Sequence, residues 1–330
     1  MNRRFAILLT GCLYAVLADA QRDSPSAQIA NGSIHAKLLL PDTSRGYYRG
    51  TRFDWAGVLA SLDYKGHSYF GQWFEHYEPT IHDAITGPVE EFLSDTKTNE
   101  GLGYAEAKPG GTFIKIGVGV LRKPSEPGYR FTTNYEIADP GEWRLHKTPQ
   151  QVEFTHVLSA PALGYAYVYN KTVRLTPGKP ELVLEHTLKN TGQRAIDTFV
   201  YDHNLFVLDG TPSGPDLTVR FPFNLRVVER KGSVLATRGR EIVYLKELPP
   251  RQAVWWRFEG FGSDAKDYDI AIENHRTGAG VRIRGDQPLA RLVFWSIRTV
   301  LSPEPFVHMH IEPGQQFAWR MAYDFYTLGR

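Results

Sequence analysis

Two side chains in this sequence combine acid–base chemistry with a setting that could fix their position. One is His203, in the run Tyr201-Asp202-His203-Asn204; the other is Glu304, in Ser302-Pro303-Glu304-Pro305-Phe306. The stretch from Phe199 to Gly210 reads as an apolar strand interrupted by polar-tipped residues. Side chains alternate across a strand, so His203 shares a face with Tyr201 and points away from Asp202 and Asn204. An imidazole held on a strand can exchange a proton near neutral pH. A core histidine satisfied by a backbone carbonyl would leave the same trace in the sequence. Glu304 stands between two prolines, which fix φ and force the preceding residue into an extended conformation. It is therefore presented rigidly at the entry to a strand, as a catalytic base would need to be. A surface glutamate in a proline-rich turn is the plainer alternative. If the two act together, both must come within about 3 Å of the reacting atoms.

Further candidates suit a polyhydroxylated ligand. Arg52 lies in Tyr47-Tyr-Arg-Gly-Thr-Arg-Phe-Asp-Trp55, dense in aromatic rings and charge. Sugars use both, stacking C–H faces on rings and directing hydroxyls at charged partners. An Arg–Asp pair on an edge segment would read the same way. His82 precedes Asp83 and is either a ligand contact or part of a capping region around that aspartate. No metal-ligand spacing stands out. His308 and His310 share a strand face, but simple alternation between Pro305 and Pro313 predicts that as well. Gly110-Gly111 precedes a strand rather than a helix and reads as a turn, and no Gly-x-Ser-x-Gly elbow is present. No cofactor and no metal are expected.

The elements that must position these residues are strands. Of 330 residues, 42% are apolar and 13% aromatic, ample for a large core, and 30 Gly and 21 Pro punctuate short period-two runs. Examples are the hairpin Val58 to Tyr64 with His67 to Phe74, the run Phe131 to Ile137, and Trp143 to Leu158. In the last strand Phe317, Trp319, Met321, Tyr323 and Phe325 share a face. One weak helix is expected over Ile81 to Asp95, although Gly87-Pro88 falls inside it. The pattern predicts an all-β architecture, a single domain of antiparallel sheets packed face to face. A net charge of +2 implies neither nucleic acid nor an anionic membrane as partner. Residues 1–20 read as a secretory signal peptide: Arg3-Arg4, an apolar run too short to span a bilayer, and cleavage after Ala18-Asp-Ala20. Residues 21–330 then form the mature domain, periplasmic or secreted. Leu9-Thr-Gly-Cys12 offers a lipid anchor as the minority reading. Cys12 is the only cysteine, so cleavage after Ala20 leaves no disulfide and no thiolate.

Taken in order, Gly50-Thr-Arg52 with His82, Tyr201-Asp-His-Asn204, Ser302-Pro-Glu-Pro-Phe306 and Pro313-Gly314 before Trp319 and Tyr323 resemble the aldose 1-epimerases, or galactose mutarotases. The resemblance spans roughly residues 30 to 328. It implies a β-supersandwich with a sugar site on one sheet and cofactor-free interconversion of the α and β anomers. Carried over, Glu304 is the general base at the C1 hydroxyl and His203 the general acid at the ring oxygen. Arg52 and His82 orient the sugar, and Asp209 is the candidate for an acidic hydroxyl ligand. The chain departs from the family pattern in Asn204-Leu-Phe206 after the histidine and in Pro305 after the glutamate, marking a divergent branch. Two alternatives remain open: a non-catalytic carbohydrate-binding protein, and a polysaccharide lyase using Tyr201, His203 and Arg52. In each case the partner is a mono- or oligosaccharide.

Overall fold

Period-two burial runs through the strands and decides the architecture. In Tyr165–Leu175 every second residue is buried, which is what a sheet with one face on a core requires. The structure is a computed structural model and describes residues 24–125 and 128–329. The expected signal peptide and Cys12 lie outside the described residues. Two large sheets dominate. The ten-stranded sheet runs from Leu235–Arg238 to Glu142–Lys147, with Gln316–Thr327 and Glu181–Asn190 near its middle. The six-stranded sheet has the order Arg226–Lys231, Ala253–Glu259, Arg291–Ile297, Val300–Ile311, Ile196–Leu205, Gly87–Leu93. A four-stranded and a three-stranded sheet flank them. Every pairing between described strands is antiparallel. Phe92, Val200 and Leu292 from the smaller sheet join Leu184, Met321 and Tyr323 from the larger in one core. The chain is all-β, as its punctuation predicts. Among the described residues, no helix is long and apolar enough to cross a membrane.

Three expectations fail locally. Phe131 to Ile137 is mostly loop, with a strand only over Ile137–Asp139. Trp143 to Leu158 is two strands, Glu142–Lys147 and Gln151–Ala160, parted by a turn. The third correction matters most: Ile81 to Asp95 is not a helix but contains the strand Gly87–Leu93, buried along its whole length. Gly87 has φ 80° and sits so close to Leu59 that an added Cβ would lie 2.6 Å from the Leu59 Cβ. Pro88, which has no N–H to donate, is tolerated because this strand is the sheet edge. On a strand, the adjacent Glu90 and Glu91 must point to opposite faces.

Glu90 points inward and ties the two sheets together. Its carboxylate pairs with Lys171 Nζ and lies 2.8 Å from His186 Nε2, both on the ten-stranded sheet. Burial opposes this charge, but Lys171 and then His186 outweigh it and hold Glu90 down at about 2. Asp202, also facing inward, is pushed well above the carboxylate range by burial and by Glu90, and it accepts a bond from the Tyr268 hydroxyl at 3.2 Å. Lys171→Met removes a fully desolvated partner and leaves Glu90 with His186 alone. Denaturant unfolding is expected to show a loss of about 3–5 kcal/mol, partly restored in the double variant Glu90→Gln/Lys171→Met.

Candidate active site

The outer face of the six-stranded sheet is a ladder of rungs that assembles the candidate residues. Trp255, Trp295 and Ser302 pair in one rung, and Arg257, Val293 and Glu304 in the next. Arg291, Phe306, Tyr201 and Glu91 form the third. Positions two apart on a strand share a face, so all three rungs point the same way. They floor an open cleft of about 1320 Å³, lined also by Arg52, Asp83, Phe131 and His203. That exceeds the roughly 300–1,000 Å³ of a typical small-molecule pocket.

His203 and Glu304, 101 positions apart in the chain, meet at 3.3 Å between Nε2 and Oε1. Glu304 does not precede a strand, as expected, but lies within one, Val300–Ile311. Its prolines explain how a central strand accommodates it. The ladder to Ile196–Leu205 runs only as far as Tyr201 opposite Phe306, and resumes at the isolated bridge Phe206–Leu301. Between them the carbonyl of Pro303 faces the neighbouring strand and accepts from Asn204 Nδ2 at 2.9 Å. N–H and C=O of one residue point to the same side in an antiparallel strand, so the N–H groups that Pro303 and Pro305 lack are those facing this neighbour. Side chains fill the gap: Asn204 on the inner face, itself bonded by the Tyr323 hydroxyl at 2.8 Å, and Ser302 Oγ, 2.7 Å from His203 Nδ1, on the outer. Edges of Trp295 and Phe53 hold the imidazole at centroid distances of 5.2 and 5.7 Å.

Arg52 is fixed by a second buried network centred on Glu91. Glu91 accepts from Arg52 Nε at 2.9 Å, Tyr201 Oη at 2.6 Å and Lys115 Nζ at 3.0 Å, with no side-chain exposure. Burial opposes the carboxylate, but Lys115 and Arg52 hold it below its usual range. Arg52 also donates to Asp83 and to Tyr201 Oη, and its guanidinium lies 4.4 Å from both the Phe53 and Phe131 rings. Asp83 stays well below the carboxylate range because Arg52 and then His82 outweigh its burial.

Glu304 and His203 are moved apart in the opposite sense to their free pKa values. Burial pushes Glu304 up to about 8, against the pull of Arg52. Burial, then the charge of Arg52, pushes His203 down to about 3. Across the neutral range the Glu304 carboxyl therefore keeps its proton and the His203 imidazole is neutral. This reverses the starting roles expected from the sequence, which made Glu304 the base and His203 the acid. Ser302 fits either tautomer, since its hydroxyl can accept from Nδ1–H or donate to bare Nδ1.

No protein-family model and no curated protein matches the chain. Solved structures do. A galactose mutarotase-like protein from Clostridium acetobutylicum superposes with a TM-score of 0.56 at 12% identity, over 93% of this chain and 100% of that one. One from Lactobacillus casei gives 0.54 at 14% identity, over 92% and 100%. An aldose epimerase homologue from C. elegans gives 0.52 at 12% identity, over 93% and 100%. The fold is galactose mutarotase-like.

On this galactose mutarotase-like scaffold, the structure brings His203, Glu304 and Arg52 to one cleft. His82 stands behind it, its Nε2 3.1 Å from Asp83 and its ring edge on Phe131 at 5.7 Å, so it reaches the cleft through Asp83. Asp209 is the exception and corrects the sequence expectation. It does not line the cleft; its carboxylate is spent on His67 Nδ1 and the Ser68 N–H, both at 2.8 Å, securing a tight turn where Asp209 itself has φ 53°. His308 and His310 both pair with Asp197 at 2.8 Å, on an exposed face. The sequence reading missed Glu91, Trp295, Arg291 and the role of Ser302. For Glu91 a signal was available: Gly87-Pro88 argues against a helix, and Val89, Phe92 and Leu93 fit a buried strand.

A carboxyl whose folded pKa is raised binds its proton more tightly in the native state, so it costs stability as pH rises from about 4 through 8. Glu304→Gln is therefore expected to raise stability by at least about 1 kcal/mol at pH 8 and by almost nothing at pH 4. Thermal unfolding of both proteins at the two pH values checks this.

Proposed function

We propose that the protein is an exported sugar isomerase that interconverts the anomers of a free aldose by acid–base catalysis at Glu304 and His203. The observation that carries this reading is the 3.3 Å approach of these two groups, a protonated carboxyl and a neutral imidazole, at the floor of an open cleft. Mutarotation needs one acid and one base at the same ring carbon and no net proton. One group takes the proton of the C1 hydroxyl while the other protonates the ring oxygen, and the C1–O5 bond breaks. After rotation about C1–C2, the O5 hydroxyl attacks the other face of the carbonyl; the base gives its proton back to the C1 oxygen and the acid recovers its proton from O5. The pair ends as it began. Trp295 offers a ring face to the sugar C–H groups, and Arg52 with Asp83 offers donors and acceptors for hydroxyls.

Lyase chemistry with Tyr201 as base is disfavoured, because its hydroxyl already donates to Glu91 and burial holds it well above its usual range. A purely binding role would keep the cleft and make the closeness of His203 and Glu304 incidental.

The test is polarimetry on freshly dissolved α-anomers across a panel of aldoses. Equilibration of at least one sugar should be accelerated, and Glu304→Gln and His203→Asn should each lose about 10²–10⁴-fold. The active pair holds one proton. Activity should therefore fall above about 8, as Glu304 loses it, and below about 3, as His203 gains a second. No acceleration of any aldose, with sugar affinity unchanged in Glu304→Gln, would establish the binding role instead.

A further inference from the structure

Among the described residues that line the cleft, Arg291 is a half-buried cation with no carboxylate in ion-pair contact. Arg226 pairs with Glu259, and Arg257 reaches Glu229 at 3.5 Å and Glu259 at 3.9 Å. Arg52 is held by Glu91 and Asp83. Arg291 has no carboxylate partner among the described residues. Its Nη1 donates to the Thr96 carbonyl at 2.6 Å, its Nε is buried without a partner, and its guanidinium lies 5.3 Å from the Phe306 ring. Burial, and then repulsion from Arg257, lower its proton affinity, so an anion placed between the two arginines would relieve both effects.

The rungs say where such an anion would sit. Arg257 and Glu304 flank Val293 in one rung, and Arg291 faces Phe306 in the next. Arg291 is thus a diagonal neighbour of Glu304, about 7–8 Å away along the sheet face. Val293 between them is small and apolar, leaving room above it. A pyranose lying over Val293 with its anomeric oxygen at Glu304 would extend the far end of its ring to the arginines.

Building on the anomer-interconversion reading, we infer that the substrate is an anionic sugar, with a carboxylate or phosphate at the ring end opposite the anomeric carbon, bound by Arg291 with Arg257 beside it. A neutral hexose would leave Arg291 facing a hydroxyl, with Arg257 still held by its own carboxylates. An anion would gain a charge-assisted contact that a hydroxyl does not offer.

The experiment compares glucuronate, glucose 6-phosphate and glucose in the anomer assay and, in parallel, by calorimetric titration. At low salt, one or both anionic sugars should exceed glucose in kcat/KM and in affinity by about tenfold or more. In Arg291→Gln that ratio should fall by about tenfold, while Arg291→Lys, keeping a point charge, should retain part of it. Preference for glucuronate identifies a carboxylate as the anion, and preference for glucose 6-phosphate a phosphate; either supports the inference. Glucose equal to or better than both anions, or an Arg291→Gln variant that loses neutral and anionic sugars in equal measure, overturns it. If no sugar is turned over, the catalytic reading falls, and the calorimetric ratios alone decide the anion site.

Discussion

Two consecutive carboxylates on an edge strand set up most of this molecule. Burying a charge is costly unless partners surround it, and Glu91 is fully desolvated. Its three donors come from separate stretches of chain: the loop bearing Arg52, the strand bearing Lys115 and the strand bearing Tyr201. Removing any one would leave the others around a poorly satisfied anion. Arg52 is thus fixed before any ligand arrives, and its field lowers the proton affinity of His203. Glu90, one residue earlier, applies the same logic on the opposite face and joins the sheets through Lys171 and His186.

From that constraint follows the character of the cleft. Its floor is sheet, with side chains filling the one gap in the ladder beside Pro303 and Pro305, so spacing between groups is set by strand geometry rather than loop conformation. Low exposure of Glu304 and His203 then separates their proton affinities, one up and one down. Groups moved in this way, facing an opening, are where acid–base chemistry is generally found.

Much of this was legible in the residues, for identifiable reasons. The period-two runs and the Gly and Pro between them gave the all-β architecture, because alternation follows directly from strand geometry. His203 and Glu304 stood out by local setting, but nothing local could place them 3.3 Å apart. That follows from two strands pairing in one register, a non-local fact. Nothing in Glu90-Glu91 announces burial, since adjacent acids are usually solvated, and only the tertiary partners reveal two buried strand positions. Asp209 misled for the converse reason: an acid close in sequence to His203 is turned away once the chain leaves the sheet after Leu205. Arg291 carried no signal at all, since an arginine at the start of a strand is ordinary until its counter-charge proves missing.

Pro303 and Pro305 have a further effect beyond opening the ladder. A proline restricts its own φ, and the residue before it, in the unfolded chain as much as in the folded one. Ser302 and Glu304 both precede a proline. The backbone under the glutamate and under the serine that orients the imidazole therefore has few conformations to surrender on folding. Rigidity there is written into covalent structure, so it persists where the hydrogen-bond ladder is interrupted and does not depend on a ligand to impose it.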